Sequence, residues 1–293
     1  MDTLPAELVD LILYFTDNDI AELCLLNKYI NHNCKVIRVK DNLRRPDLDD
    51  NHLQYLTNME TLYLHDNRSV ISHIGVINPF TVNVSSARLN ITNKGLLKLS
   101  NLTSLNLHGN STITNEGISN LISLTHLDLN NNRLITDQGI SSLTNLTSLN
   151  LKRNSTITDG VLANLTNLRS LDLSFNEVIK EISDLTNLTS LNLQVNIRIN
   201  NQNLENLHNI TSLNLSGANC LYRNPLITNQ GLINLHKLTD LDLSHNRVIT
   251  KLPDYIKLQT INLNDNEHFP FSQLLKFPGL KGKNSSGKDF VIQ

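Results

Sequence analysis

One short pattern, L-x-x-L-x-L-x-x-N, recurs along most of this 293-residue chain and limits the folds that it can adopt. Residues 102–110 and 146–154 are two clear copies, and most successive copies lie 20–23 residues apart. A unit this short cannot bury its apolar side alone, so we expect the units to stack and share a continuous core. The fourth position of the pattern marks eleven units: Ile37, Leu62, Val82, Leu105, Leu127, Leu149, Leu171, Leu191, Leu213, Leu241 and Ile261.

Strand geometry explains why the pattern repeats. Side chains alternate along a strand, so the two Leu of each L-x-L point into the core while the residue between them faces out. The strands of neighbouring units are therefore predicted to form a parallel sheet. The pattern resembles that of leucine-rich-repeat proteins over residues 34–270. The resemblance implies an α/β fold, a leucine-rich-repeat solenoid in the form of a parallel-sheet horseshoe.

The Asn at the ninth position resembles the buried Asn ladder of those proteins, in which side-chain amides satisfy backbone groups where each coil turns. The chain contains 44 Asn residues, and most of those at such positions are then structural. Ala87 and Ala218 occupy this position in two units, so the ladder is predicted to be interrupted there or, in the second, shifted to Asn219. The predicted ladder residues are Asn67, Asn110, Asn132, Asn154, Asn176, Asn196, Asn246 and Asn266.

The segments that return from strand to strand share the motif I-T-D/N-x-G-L/I. We predict a short helix in each, with the Thr capping its amide end. Residues 48–53 fit the same frame without the Gly. The motif resembles the return segment of F-box/leucine-rich-repeat proteins, whereas residues 185–193 resemble the repeats of bacterial internalins, and the repeat alone does not choose between these families. The motif occupies residues 91–96, 113–118, 135–140 and 227–232.

Ahead of the first coil, residues 4–15 and 17–30 predict two short helices. Pro5 suits the first turn of a helix, where its missing N–H costs nothing. Apolar residues then recur at steps of three and four, which gives each helix an apolar stripe. On this pattern alone the two helices form an amino-terminal cap that shields the open end of the solenoid.

The order of residues in these helices closely resembles an F-box. The chain reads L-P-x-E-L-x-x-x-I-L-x-F and then, after an acidic turn, D-I-x-x-L. It departs from the family at Thr16, usually Leu, and at Tyr29, usually Trp or Phe. The resemblance implies binding to the Skp-type adaptor of a cullin ligase, a role that does not exclude capping. The positions that would meet the adaptor are Leu4, Pro5, Leu8, Ile12, Phe15 and Leu23.

Three segments follow from these patterns: an F-box-like helical motif over 1–34, the solenoid over 35–270, and a C-terminal cap and polar tail over 271–293. The tail contains the spacing G-x-x-x-x-G-K of a phosphate-binding loop at residues 282–288. Asp289 stands where that loop needs Ser or Thr, and too few residues remain for the helix that follows it. We interpret the spacing as a chance match.

The outward face of the sheet is predicted to carry the third, fifth and seventh residues of each unit. These are mostly small and polar, whereas binding hot spots favour Trp, Tyr and Arg. An insertion at residues 220–225 lengthens one unit to 28 residues, and such insertions form protruding loops. Residues 68–80 could form a second protrusion. The candidate target-binding residues are Tyr63, His65, His108, His126, Asp128 and Lys152 on the face, and Tyr222 and Arg223 in the insertion.

Two other features of the repeats receive structural interpretations. His108 and His126 lie in adjacent units but four residues apart along the strand direction, roughly 13 Å, which is too far for shared zinc ligation. Phe175 is interpreted as a packed residue of its coil. No metal, cofactor or catalytic arrangement stands out, so we predict a protein that is not an enzyme.

Charge and composition exclude several other classes. The formal charge is −2, which disfavours nucleic acid and anionic membranes as partners. No apolar run approaches the ~18 residues of a membrane span, and the amino terminus does not resemble a secretion signal. Three Cys without metal-ligand spacing agree with a reducing compartment. The expected location is the cytoplasm.

The resemblance implies a protein-interaction role, the substrate-recognition subunit of a cullin-based (SCF-type) ubiquitin ligase. The amino terminus would bind the Skp adaptor and the repeats an unknown target protein. The alternative is a non-enzymatic leucine-rich-repeat binding or structural module whose first helices only cap the solenoid. The Asn-, Ile- and Leu-rich composition suggests an AT-rich genome, such as that of a virus or bacterium that uses its host's ubiquitin machinery.

Overall fold

The computed structural model of the protein describes Asp50, the backbone of residues 61–65 and 81–85, and residues 91–217 and 226–293. The chain forms two compact units, residues 1–145 and 146–293, and each is described by itself. The predicted F-box-like motif of residues 1–34 lies outside the described residues. So do Asn67, Ala87, Ala218 and Asn219, and the boundaries proposed at 34 and 270 stay predictions.

The described part of the first unit includes four parallel strands and, between residues 91 and 145, three one-turn helices. The strands are β1 (Thr61–His65), β2 (Thr81–Ser85), β3 (Ser104–Asn106) and β4 (His126–Asp128). The helices are α1 (Asn93–Leu96), α2 (Asn115–Ile118) and α3 (Asp137–Ile140).

The strand order in this unit is β2-β1-β3-β4, which differs from the simple stacking that the sequence predicts. Leu62 of β1 pairs with Val82 on one side and with Leu105 of β3 on the other. Asp50 agrees with this order, because its carboxylate accepts hydrogen bonds from the backbone N–H and the hydroxyl of Thr92. The coil marked by Leu62 therefore stacks directly on the coil marked by Leu105, and the prediction that Val82 lies between them is wrong.

The second unit has the same kind of elements, and its described residues form eight strands. They are β5 (Ser148–Asn150), β6 (Ser170–Asp172), β7 (Ser190–Asn192), β8 (Ser212–Asn214), β9 (Asp240–Asp242), β10 (Thr260–Asn262), β11 (Lys281–Lys283) and β12 (Asp289–Val291). The helices are α4 (Asp159–Leu162) and α5 (Asn201–Leu204), with 3₁₀ helices at Asn229–Leu232 and Phe271–Leu274.

Strands β5 to β11 pair in parallel and in sequence, so that the marker residues form one row. Leu149, Leu171 and Leu191 are each about 1% exposed, and the second Leu of each L-x-L stretch is buried as well. Burial of one such side chain contributes roughly 1.5–3 kcal/mol. The predicted fold class, a parallel-sheet leucine-rich-repeat solenoid, is confirmed, and its apolar interior supplies most of the driving force for folding.

The ninth-position Asn residues form the predicted buried ladder, here called the inner Asn ladder. Asn176 is representative: its Nδ2 donates to the carbonyls of Leu151 and Asn154, while its Oδ1 accepts from the N–H groups of Val178 and Ile179. Each amide therefore closes its own turn and ties it to the preceding coil. The described members are between 0% and 7% exposed: Asn110, Asn132, Asn154, Asn176, Asn196, Asn246 and Asn266.

The residue before each inner-ladder Asn adopts a left-handed backbone conformation. Gly109 (φ 60°) and Asn131 (φ 51°) do so at little cost, because Gly and Asn tolerate this region. The same position carries a side chain less suited to it in other coils: Arg153, Phe175, Val195, His245 and Asp265.

The return segments contain a second ladder, which the sequence did not predict. Asn93 Nδ2 donates to the hydroxyl of Thr114 at 2.7 Å, and its Oδ1 accepts from the Thr114 N–H at 3.0 Å. Asn115, Asn201 and Asn229 hold the next return segment in the same way. These four residues are called the outer Asn ladder, and they connect successive coils on the side opposite the sheet.

The outer ladder changes the predicted role of the Thr residues. Thr92 and Thr228 do cap their helices, accepting from the N–H groups of Lys94 and Gln230. The capping prediction is wrong for Thr114 and Thr136, whose side chains make no cap bond. Their hydroxyls accept instead from the ladder amide of the preceding coil.

The last residues, expected to form a polar tail, form a β-hairpin. Strand β11 adds a further parallel strand to β10, and β12 turns back antiparallel to β11. The Asn284 side chain accepts from the N–H groups of Ser286 and Lys288, and Gly287 (φ 73°) completes the turn. The G-x-x-x-x-G-K spacing thus lies in a hairpin and not in a strand–loop–helix phosphate site.

Candidate binding surface

The fifth residue of each coil, at the end of each strand, organises the outward face of the sheet. Its Oδ1 accepts a hydrogen bond from the N–H two residues later, as Asp172 does from Ser174 at 2.7 Å. The same bond recurs in both units, and the residues that accept it are Asn106, Asp128, Asn150, Asp172, Asn192, Asn214, Asp242 and Asn262.

Hydrogen bonds also connect these residues sideways from strand to strand. Asn192 Nδ2 donates to Asp172 Oδ2, and Asn262 Nδ2 donates to Asp242 Oδ2, each at 3.0 Å. An amide can donate where an ionised carboxylate can only accept, so Asn beside Asp is the combination that links two neighbouring strands. The face is therefore polar and fixed in position. In the sequence, the sign of these bonds between strands is that either Asn or Asp occupies the fifth position of the repeat.

Among the described candidate target-binding residues of the first unit, His108 and His126 do not lie side by side. The Asp128 carboxylate accepts from the Asn130 N–H and from Asn106 Nδ2, so it belongs to the face itself. The register places His126 beside Ser104, and not beside His108. For Tyr63 and His65 the structure describes only the backbone of β1, and Tyr222 and Arg223 lie outside the described residues.

In the second unit, Lys152 belongs to a small cluster with Arg153 and Phe175. Lys152 Nζ lies 5.5 Å from the centre of the Phe175 ring, and the Arg153 guanidinium carbon lies 4.8 Å from it. Both distances are within the range of cation–π attraction. The ring is half-buried, so the interpretation of Phe175 as a packed residue describes only part of its environment. This group is called the Phe175 cluster.

An open depression of about 640 Å³ lies on the face of strands β8 to β12. Acidic residues from β9 line one part of it, lysines from β11 line another, and Val291 of β12 contributes apolar surface. Lys283 also forms an ion pair with Asp289 at 3.1 Å. Val291 is 59% exposed, so this end of the sheet offers both charge and apolar area to a partner.

The titratable groups with shifted pKa values lie outside this face. Hydrogen bonding to Lys276, together with its positive charge, lowers the pKa of Asp254. Burial would raise the pKa of Glu181, but hydrogen bonds from Ser183 and Asn203 outweigh it and leave the pKa lowered. Burial raises the pKa of Tyr255. Each of these shifts has a structural cause in the hydrogen bonds, charge or burial around the group.

Within the described part of the chain, no three His, Cys, Asp or Glu residues are grouped so as to hold a metal ion. Two buried side-chain oxygens there lack a hydrogen-bond partner, Ser174 Oγ and Gln273 Oε1. No helix of the described residues is long and apolar enough to cross a bilayer. What the arrangement offers is a fixed polar face for contact with another molecule.

The stacked coils and this face define a leucine-rich-repeat solenoid, a class of protein-interaction module. The family model described as Leucine Rich repeat matches residues 98–122, 120–144, 164–180 and 234–251. No curated protein matches the sequence.

Two internalins of Listeria monocytogenes str. 4b F2365 are similar in structure. Internalin C2 is 29% identical over 54% of this chain and 68% of its own, with a TM-score of 0.41. Internalin InlF is 22% identical over 79% of this chain and 69% of its own, with a TM-score of 0.46.

Proposed function

We propose that this protein holds a partner protein against the outward face of its repeats and connects that partner to a cullin-based ubiquitin ligase. The repeats supply recognition, and the F-box-like residues 1–34 supply attachment to a Skp-type adaptor. The protein itself performs no chemistry. This role places it in the cytoplasm with the ligase.

The observation that carries the recognition half is the depression on strands β8 to β12. Within strands β5 to β7 the outward residues are small and polar, and the fifth-position side chains already bond to the backbone. In the depression, Asp240 and Lys281 lie on the two sides of Thr260 in one row, and the exposed Val291 extends that row beyond Lys281. Charge of both signs beside exposed apolar area suits a protein surface better than it suits a small apolar ligand.

The attachment half rests on the sequence pattern of the amino terminus. Apolar residues at helical spacing, when they are not part of a core, form grooves and faces that bind a partner. In the proposed complex the six residues named above, from Leu4 to Leu23, contact the adaptor. Ubiquitin transfer is then faster, because the bound target meets the ubiquitin-loaded conjugating enzyme at a high effective concentration.

Direct binding of the full-length protein to a purified Skp adaptor tests the attachment half. We expect a dissociation constant of about 1 μM or tighter, lost when Leu4, Pro5 and Leu8 are all changed to Ala. A matched variant with Val9, Leu13 and Leu26 changed to Ala controls for the loss of apolar side chains. Melting temperatures of all three proteins show whether a lost interaction reflects unfolding.

Failure to bind the adaptor at high concentration would remove the ligase role. The remaining function would be the plain binding module, with residues 1–34 acting as a cap. The face is then tested by itself with the charge reversals Asp242→Lys and Lys283→Glu. A partner bound by the parent and by Lys251→Glu, a reversal outside the depression, but not by either face variant, would support the recognition half.

A further inference from the structure

The backbone of Phe175 lies in the left-handed region, with φ 55°. The equivalent residues Gly109 and Asn131 show which residue types suit this position. An aromatic side chain there is uncommon, because the Cβ crowds the backbone. Such outliers persist where the surrounding structure holds them, and they concentrate at functional sites.

Two cationic side chains, Lys152 and Arg153, lie beside the Phe175 ring. Arg153 holds the equivalent position of the preceding coil, also left-handed (φ 52°), and Lys152 precedes it. The two coils are fixed to each other because the Arg153 N–H donates to the Ser174 carbonyl at 3.1 Å. The Phe175 N–H in turn donates to the Gln194 carbonyl at 3.0 Å. The ring and both cations therefore project from a rigid part of the sheet.

The positive charges of the cluster are not neutralised by ion pairs. Within the residues that the structure describes, neither Lys152 nor Arg153 forms one. Asp172 lies on the same coil as Phe175, but its two oxygens accept from the Ser174 N–H and from Asn192 Nδ2. Arg is among the residue types that dominate binding hot spots, and aromatic rings such as that of Phe175 are enriched at interfaces.

We propose that the Phe175 cluster is the contact point for an acidic segment of the partner protein. Carboxylates of that segment pair with Lys152 and Arg153, and the ring holds both cations in place for them. This inference rests on the proposed binding function of the repeats and adds to it the chemistry of the partner.

Fluorescence anisotropy with a labelled hexaglutamate peptide and the full-length protein at low ionic strength tests the proposal. We expect saturable binding with a dissociation constant below about 1 mM, and none for a labelled hexalysine peptide. The Phe175→Asn variant keeps a residue type already found at this position of the repeat. It should weaken binding by at least about tenfold without lowering the melting temperature.

A second variant, Lys152→Ala with Arg153→Asn, should weaken binding at least as much. The control, Lys180→Ala with Lys251→Ala, removes two positive charges elsewhere in the same unit and should change binding less than about twofold. The proposal is overturned by absence of binding in the parent, by equal weakening in the control, or by full binding in Phe175→Asn. A fall in the melting temperature of Phe175→Asn that accompanies lost binding also overturns it, because Phe175 would then be a packing residue.

The adaptor assay separates this outcome from failure of the proposed function. Phe175→Asn should bind the Skp adaptor as the parent does, because the cluster lies outside residues 1–34. Adaptor binding without peptide binding would reject only the present inference. Peptide binding without adaptor binding would reject only the ligase role.

Discussion

Gly231 lies so close to Asn201 of the preceding coil that a Cβ on Gly231 would be 2.6 Å from the Asn201 Oδ1. That oxygen cannot move freely, because it accepts from the Thr228 N–H at 2.9 Å while the Asn201 amide donates to the Thr228 hydroxyl. The return motif therefore requires Gly at position 231, because a larger residue would collide with the outer-ladder Asn of the preceding coil.

We predict that Gly231→Ala lowers the free energy of unfolding by about 1–3 kcal/mol, because the added methyl group displaces the ladder amide. Urea denaturation measures the change. Asn201→Ala in the same background removes the clash, so the double variant should lose less than the sum of the two single variants. Additive losses would show that the two residues do not interact.

Gly160 provides the matched control for this prediction. A Cβ there would meet only the Thr158 hydroxyl, at 3.8 Å, and Gly160 lies within helix α4. Gly160→Ala should therefore raise the free energy of unfolding by about 0.5–1 kcal/mol through its effect on the unfolded chain. A loss similar to that of Gly231→Ala would contradict the explanation by the ladder.

Asn176 of the inner ladder should be among the least replaceable residues of the second unit. Asn176→Ala leaves the Asn154 carbonyl and the Val178 and Ile179 N–H groups without this partner, whereas the Leu151 carbonyl still accepts from the Asn154 N–H. We expect a loss of about 3–5 kcal/mol in the free energy of unfolding. Asn187, whose amide donates to the Thr166 carbonyl at the surface, is the control, and its change to Ala should cost below about 1 kcal/mol.

Two buried serines at the same position of the repeat should respond in opposite directions. Ser174 Oγ has no partner, whereas Ser244 Oγ donates to Asp242 Oδ1 at 2.7 Å. Ser174→Ala removes an unsatisfied hydroxyl and should stabilise the protein by up to about 1 kcal/mol. Ser244→Ala should destabilise it by about 1 kcal/mol. Thermal denaturation of both variants checks the prediction, which fails if both shift the midpoint in the same direction.

Glu181 should make stability depend on pH in the acid range. Its Oε1 accepts from the Ser183 N–H and from Asn203 Nδ2, and these bonds hold its pKa below the ordinary 4.5 against the opposing effect of burial. A carboxyl with a lowered folded-state pKa stabilises the protein above its unfolded value. That contribution is lost as the pH falls through the folded value.

The measurement is the urea midpoint at several values between about pH 6 and pH 3. The parent should be more stable than Glu181→Gln at the upper end, and the difference should shrink below about pH 4.5. Glu205→Gln controls for removal of a carboxylate from the same region. A difference between the parent and Glu181→Gln that grows as the pH falls would reverse the predicted sign.

The repeat predicted the strand rows and the inner ladder because both depend on features that recur within one coil. The order β2-β1-β3 was not predictable, because Val82 carries the same local pattern and strand pairing is decided by competition between distant segments. The pairing of β11 with β10 was hidden because Gly282 replaces the marker Leu. A Cβ on Gly282 would be 2.0 Å from the Ile261 carbonyl oxygen.

The face was harder to predict than the core. The sequence assigned the fifth position to solvent, yet Asp172 and Asn192 bond to each other there. Their pairing depends on how two coils are aligned, and one coil alone does not contain that information. The conformation of Phe175 belongs to the same category, because the periodic pattern says nothing of the backbone angle at the residue before the ladder Asn.

The markers Leu213 and Leu241 are 28 residues apart, yet they pair in the same register as Leu171 and Leu191, which are 20 apart. Strand alignment is thus independent of the length of the path between two strands. The return segment after β8 is accordingly a natural site for grafting: foreign peptides placed there could vary in length and sequence while the sheet beneath them keeps its geometry.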